Sequence, residues 1–332
     1  MKSTVMIVVT FALLAAPAFG QNPNLGTSGA QFLEIPAGAR ASAMGGAVMA
    51  AVHDASSLFW NPAGIVDVQN ADAHFSYTSW WATVGITNAG VVYTAEGLGS
   101  FGVSVSVLSM DKMEVTTELE PEGTGQFFDA RDLMIGVSFA RKLTEDFSVG
   151  VTAKYIQQRI WSETASGMAF DIGTQYRVGF EDLTIAMSMS NFGGDMQYDG
   201  QELSVKYDAD PALGFNRLTP ARLNGEGFPL PLRFQVGVAM TVVRTDEMSL
   251  LLAADAVHPN DNDERVNVGG EVTFLDHFAL RGGYRFGYDQ ESATFGAGVL
   301  VPLGDMRVAV DYGYALYDLL PDIHRLSVGI RF

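Results

Sequence analysis

The sequence predicts an all-β protein: a transmembrane antiparallel β-barrel of about fourteen strands with a small N-terminal plug. Three observations predict it. From residue 71 onward, apolar and polar residues alternate in runs separated by turn residues. The connections between the runs alternate between short and long. The chain closes on Leu326, Ser327, Val328, Gly329, Ile330, Arg331 and Phe332. A period of two puts Leu326, Val328, Ile330 and Phe332 on one face, which suits the last stave of a barrel and an assembly signal for its insertion machinery.

Residues 1–20 read as a secretory signal peptide. Met1 and Lys2 are a short basic start, 5–16 is almost wholly apolar, and Ala18-Phe19-Gly20 is a small-x-small cleavage site, so the mature chain starts at Gln21. The apolar core is too short for a spanning helix, and no later stretch is long and apolar enough for one. There is no Cys, hence neither a disulfide nor a lipid-anchored thiol.

Residues 21–70 read as a plug or hatch-like segment. Gly38, Ala39, Arg40, Ala41, Ser42, Ala43, Met44, Gly45, Gly46 and Ala47 are mostly small, which permits close backbone approach inside a lumen. Asp54 is a candidate N-cap for a short helical turn, and Pro62 is expected to end it. Asn61, Pro62 and Ala63 combine an amide, a fixed φ and a small side chain, which suits an anchored turn before Gly64. The plug is expected in the half of the barrel nearest the chain termini.

The barrel is expected over 71–332, with runs near 71–79, 87–95, 100–109, 132–141, 146–159, 166–178, 183–191, 230–242, 248–257, 265–275, 277–287, 292–301, 305–315 and 324–332. Alternation places Lys154, Asp171, Arg177, Arg233, Asp255, Glu271, Arg281, Arg285, Arg307, Asp311 and Arg331 in the lumen, where opposite charges pair or line a polar pathway. Short turns follow the even-numbered runs. The two longest connections, near 110–131 and 192–229, follow odd-numbered ones, so with periplasmic termini the long loops lie outside. Those loops are acidic, with Asp111, Glu114, Glu118, Glu120, Glu122 and Asp129 in the first and Asp195, Asp199, Glu202, Asp208, Asp210 and Glu226 in the second. Such residues suit the solvation of exposed loops, divalent-cation bridging at the cell surface or contact with a basic partner, and solvation is the expected role. Trp80, Trp81 and the stretch 316–321 form apolar patches at the outer rim, suited to a membrane interface or to docking.

Composition agrees. Charged residues make only 17% of the chain, below the usual quarter, while Gly is abundant at 36 of 332. A net charge of −18 excludes nucleic acid as a partner, since that needs a basic footprint. The five His residues are scattered, and no zinc-site spacing, Gly-x-Ser-x-Gly elbow or phosphate loop occurs. No enzyme activity, cofactor or metal is therefore expected.

Three motifs carry a resemblance. They are Gly26-Thr27-Ser28-Gly29-Ala30-Gln31-Phe32-Leu33, then Gly38 to Ala47 as above, then Asp54-Ala55-Ser56-Ser57-Leu58-Phe59-Trp60-Asn61-Pro62-Ala63-Gly64. Together they resemble the N-terminal signature of the PorV/PorQ family, a branch of the FadL-like outer-membrane barrels. The resemblance implies a fourteen-stranded barrel with an N-terminal plug in the cell outer membrane, contacting lipid and the barrel assembly machinery. It also implies a non-catalytic accessory of type IX protein secretion that binds a translocon component or secreted cargo. The FadL branch implies the alternative, a channel for hydrophobic small molecules such as long-chain fatty acids.

Overall fold

The structure, a computed structural model, describes residues 24–180, 182–207 and 219–332. The expected signal peptide, 1–20, and the loop acids Asp208 and Asp210 lie outside these residues. Fourteen long strands form one closed antiparallel sheet. They are β1 (Ala71–Ser79), β2 (Gly85–Ala95), β3 (Gly99–Ser109), β4 (Ala130–Lys142), β5 (Phe147–Ile160), β6 (Glu163–Arg177) and β7 (Thr184–Gly193). The second half comprises β8 (Arg233–Arg244), β9 (Met248–Pro259), β10 (Arg265–Phe274), β11 (Phe278–Phe286), β12 (Glu291–Leu303), β13 (Met306–Tyr317) and β14 (Ile323–Arg331). Each expected run falls on one of them.

The alternation in the sequence becomes the two faces of the wall. Phe75, Tyr77, Val103, Val137, Phe170, Leu280 and Phe295 stand exposed on the outside. Ser104, Ser138, Thr152, Gln175, Gln235 and Ser327 are buried on the inside. Water would penalise such an outer surface, whereas the hydrocarbon of a bilayer requires it.

The wall is continuous where the last strand meets the first. β14 pairs with β1 in the register Leu326↔Tyr77, Val328↔Phe75 and Ile330↔Ala73. The Phe332 N–H donates to the Ala71 carbonyl at 2.9 Å. The β6–β7 seam is irregular: register shifts between Phe170 and Ile172, and Asn191 takes φ 64°. Wall side chains repair the break. Asp171 accepts the Asn191 N–H at 2.8 Å, and Lys154 reaches both the Asn191 side-chain oxygen at 2.9 Å and Asp171 at 2.6 Å.

The connections differ from expectation at one place. A longer link was expected after the fifth run, yet β5 and β6 join through Trp161 and Ser162 alone. The link was expected over 160–165, but ladder hydrogen bonds use the backbone whatever the side chain, and they carry β5 up to Ile160 and start β6 at Glu163. The two longest connections carry structure of their own. In the first, Met113–Glu114 pairs with Phe127–Phe128. In the second, Ser204–Tyr207 pairs with Thr219–Arg222, and Tyr198–Asp199 adds to β6.

The terminal aromatic tests the assembly reading. Phe332→Asp should lower the amount of heat-modifiable, folded barrel in outer-membrane fractions several-fold while leaving export intact. Unchanged folded yield would refute a role for Phe332 in assembly.

Candidate functional site

The lumen is occupied by the chain's own N-terminal segment. The expectation that it would lie only in the half near the termini needs correction, because residues 24–70 run the full height of the barrel. At the long-loop end, the Gly26 and Gly29 N–H groups donate to the carbonyls of Asp261 and Pro229 at 3.2 and 2.9 Å. The Ala30 N–H donates to the Gln158 side chain at 3.1 Å. Asp261 also accepts from Ser28 and Gln31. The physical reason is partners: Asp261, Pro229 and Gln158 at that mouth supply acceptors for the backbone of the segment, and Phe32 packs with Met134, Ile156 and Met196.

At mid-height the segment forms one short helix, Ala39–Ala43. Gly38, Gly45 and Gly46 flank it at φ 85°, 66° and 78°, values that L side chains rarely adopt. Wall side chains satisfy its backbone. Asp255 accepts the N–H groups of Val48 and Met49 at 2.9 and 3.0 Å. The Thr294 hydroxyl accepts from Gly45 at 2.9 Å and donates to the Ala43 carbonyl at 3.0 Å. Ser327 accepts the Ala39 N–H at 3.2 Å. Arg285 donates to the Gly45 carbonyl at 2.9 Å and pairs with Glu291 at 2.6 Å.

The charges interlock with this backbone network. Arg40 grips Glu271 through two 2.8 Å bonds and donates to the Ala51 carbonyl at 3.1 Å. Glu271 also accepts from Arg281, which reaches Asp311 at 2.7 Å. Arg233 lies 6.0 Å from the Trp60 ring centroid. Arg307 is exposed at the short-turn end and forms no ion pair or hydrogen bond with the segment.

At the short-turn end Asp54 caps the turn Ala55–Phe59 through the Ser56 N–H at 3.0 Å. It also pairs with Arg331 at 2.9 Å. Burial works against ionised Asp54, but Arg331, Arg40 and the Ser56 hydrogen bond outweigh it and hold its carboxyl well below the usual range. Pro62 does more than end that turn: it opens the next, Pro62–Asp67, at a position whose N–H would have no helical partner. Asn61 donates to the carbonyls of Met49 and Thr174 at 3.3 and 3.1 Å and accepts the Ala63 N–H at 3.1 Å. Gly64 is sterically required, since a Cβ there would lie 2.5 Å from the Val52 carbonyl oxygen. Asp67 gathers His53 at 2.9 Å, Lys142 at 3.4 Å, and Arg177.

Glycines in the wall accommodate this segment. A Cβ at Gly173 would lie 2.0 Å from Asn61 Oδ1, and one at Gly150 2.4 Å from the Pro62 carbonyl carbon. Gly150 and Gly173 face each other in the β5–β6 ladder, so together they form one recess for the Asn-Pro-Ala turn. Gly283 and Gly269, likewise paired, make the same allowance for Met44 and Gly45.

Several of these residues escaped the sequence reading. Arg325 is fully buried and donates to the Ser42 hydroxyl at 2.6 Å. It shares the face of Ser327, Gly329 and Arg331, so the alternation carried the signal. Asp67 and Glu34 lie on non-periodic turns and had none. Glu34 shares a cavity of about 40 Å³ with Arg233 and Arg265. Burial raises its carboxyl despite those cations.

Two larger cavities flank the plugged middle. One, of about 630 Å³ at the long-loop mouth, is lined by Phe32, Trp80, Leu108, Asp132, Tyr198 and Phe228 among others. The other, of about 280 Å³ at the short-turn end, is polar and includes Arg40, Asp54, Asp72, His74, Glu271 and Arg331.

A lipid-facing wall closed around an N-terminal segment defines an outer-membrane β-barrel with a filled lumen. Solved structures agree on the fold. The Ralstonia pickettii toluene transporter TbuX is 15% identical with TM-score 0.56, covering 89% of this chain and 98% of its own. The Pseudomonas putida toluene transporter TodX is 11% identical with TM-score 0.56, covering 88% and 96%. A Pseudomonas aeruginosa FadL homologue is 12% identical with TM-score 0.54, covering 89% and 97%. No curated protein sequence matches the chain. The family profile described as type IX secretion system protein PorV matches residues 19–214, more than half of the sequence, and the chain belongs to that family.

Two outcomes test this arrangement. Gly173→Val should drive the Asn-Pro-Ala turn off the wall and destabilise the barrel by about 1–3 kcal/mol in denaturant titrations. The second concerns pH. Burial disfavours ionised Asp67, yet the His53 and Arg177 contacts outweigh it and lower its pKa to about 2. A depressed folded-state pKa contributes stability above the unfolded value of about 3.9, and that contribution is lost as pH falls through the folded value. Hydrogen exchange of residues 62–67 should therefore accelerate between about pH 4 and pH 2, and Asp67→Asn should remove that pH dependence.

Proposed function

We propose that this protein is a non-catalytic outer-membrane barrel that binds protein partners or cargo as an accessory of type IX secretion. Its long loops and Trp80–Trp81 rim then face outward together with residues 24–30, and the C-terminal strand ends on the periplasmic side, so the expectation of two periplasmic termini holds only for Phe332. The observation that carries this reading is the filled lumen. The segment is fastened at every level: Asp261 at the top, Asp255, Glu271 and Thr294 in the middle, Arg331, Arg177 and Thr174 at the bottom. Removing one member of such a buried pair leaves an uncompensated charge, so displacing the segment is costly. A barrel built this way is better suited to presenting a rigid surface than to passing solutes. The family assignment supports the same reading.

A second reading, a channel for hydrophobic small molecules, is favoured by the mouth cavity. Its volume, about 630 Å³, and its walls of Phe32, Trp80, Leu108, Tyr198 and Phe228 suit an apolar ligand. The toluene transporters among the similar structures give that ligand class a precedent on this fold.

One experiment separates the two. Cys at Asp54 and at Arg331, bridged by a bismaleimide, would lock the segment to β14. Under the secretion reading the locked protein should still recover a translocon component or secreted cargo on affinity purification from native membranes, and hydrocarbon uptake by cells should be unchanged by deleting the gene. Uptake that depends on the protein and stops on locking would favour the channel.

A further inference from the structure

On the outer face of the wall, two arginines stand directly opposite each other. Arg131 of β4 pairs with Arg159 of β5 across the ladder, and both are exposed. Alternation places them with Ile135, Val137 and Tyr155, all exposed on the lipid-facing side. Directly opposed residues hold their Cβ atoms about 4.5–5.5 Å apart, where like charges repel. Arg159 pairs with Asp129 at 2.8 Å, whereas Arg131 has neither an ion pair nor a side-chain hydrogen bond among the described residues. Two guanidinium groups thus face one carboxylate. Among the described residues of the fourteen strands, no other Lys or Arg stands on the outer face at the long-loop end.

The pair sits at a definable depth. Ladder rows on one face are about 7 Å apart along the strands. Leu133 and Gln157 occupy the row below the arginines, and Ile135 and Tyr155 the row below that. On the other side lie Phe128 and Trp161, with ring centroids 6.4 Å apart, an aromatic pair of the kind that gathers at membrane interfaces. The arginines therefore lie at headgroup level, with an acyl-compatible surface beneath them.

We propose that Arg131 and Arg159 form a binding site for the phosphate of a membrane lipid in the leaflet that meets the long-loop end. Phosphate oxygens accept charge-assisted hydrogen bonds from both guanidinium forks and relieve their mutual repulsion. The chemistry also points to a lipid rather than a dissolved anion. The connection above β4 carries Glu118, Glu120 and Glu122, and the chain is strongly acidic overall, so a solution phosphate is repelled. A headgroup enters sideways from the bilayer and brings acyl chains onto the rows around Ile135 and Tyr155. This rests on the outer-membrane placement alone and not on which partner or solute the barrel serves.

The test is native mass spectrometry of the full mature chain in dodecyl maltoside, with diphosphorylated lipid A and its enzymatically dephosphorylated form as probes. Wild type should bind the phosphorylated probe at least about tenfold more strongly than the dephosphorylated one. Arg131→Gln/Arg159→Gln should lose most of that preference, and each single variant part of it. Arg141→Gln, on the outer face at the opposite end, should retain it. Equal binding of both lipids by wild type, or an undiminished preference in a double variant with normal heat-modifiable migration, would overturn the proposal. Displacement of the lipid by millimolar inorganic phosphate would instead assign the site to the free anion and refute its assignment to lipid.

Discussion

An irregular backbone inside a barrel must find a partner for every N–H and C=O it presents, because the wall has already spent its own on the ladder. That requirement organises this molecule. Side chains of the wall act as the missing partners: Asp255 takes two N–H groups, Thr294 serves a donor and an acceptor at once, and Arg285 caps the Gly45 carbonyl. Charged residues recur in these roles because a carboxylate or guanidinium offers several sites on one side chain. Once buried, they also need each other. The chain Arg40–Glu271–Arg281–Asp311 answers one buried charge with the next.

Space is the second half of the same constraint. The segment between Gly38 and Ala47 is built from small residues, and the wall opposite it has glycine where bulk would collide. The recess made by Gly150 and Gly173 explains why the Asn-Pro-Ala turn sits where it does. Proline fixes the backbone, Asn61 bonds to both the wall and the segment, and the two glycines leave room for them. Small residues on both sides let backbones approach closely enough for hydrogen bonds to form directly.

The resulting barrel is rigid in the middle and differentiated at its ends. One end carries long acidic connections over an apolar-walled cavity. The other carries tight turns around a polar vestibule of paired charges. The proposed binding role at the long-loop face draws on this asymmetry as well as on membership of the PorV family.

The strands, their number and the two faces of the wall were legible in the sequence, because period-two alternation is a local property and the membrane imposes it on every stave. The same rule assigns inward faces to the lumen-lining charges of the strands, Arg325 included. Its neighbour in function, Asp67, was hidden, since a residue on an irregular turn has no period to betray its direction. The two-residue link at Trp161 and Ser162 was hidden for another reason: ladder pairing is indifferent to side-chain polarity, so a polar strand end looks like a loop. The amino-acid sequence by itself determined the barrel, its lipid-facing surface and the presence of a lumen-bound segment. Only the tertiary structure decided the path of that segment and the partner of each charge. Those contacts join residues as far apart as Arg40 and Glu271, and such pairings depend on the closed wall that brings them together.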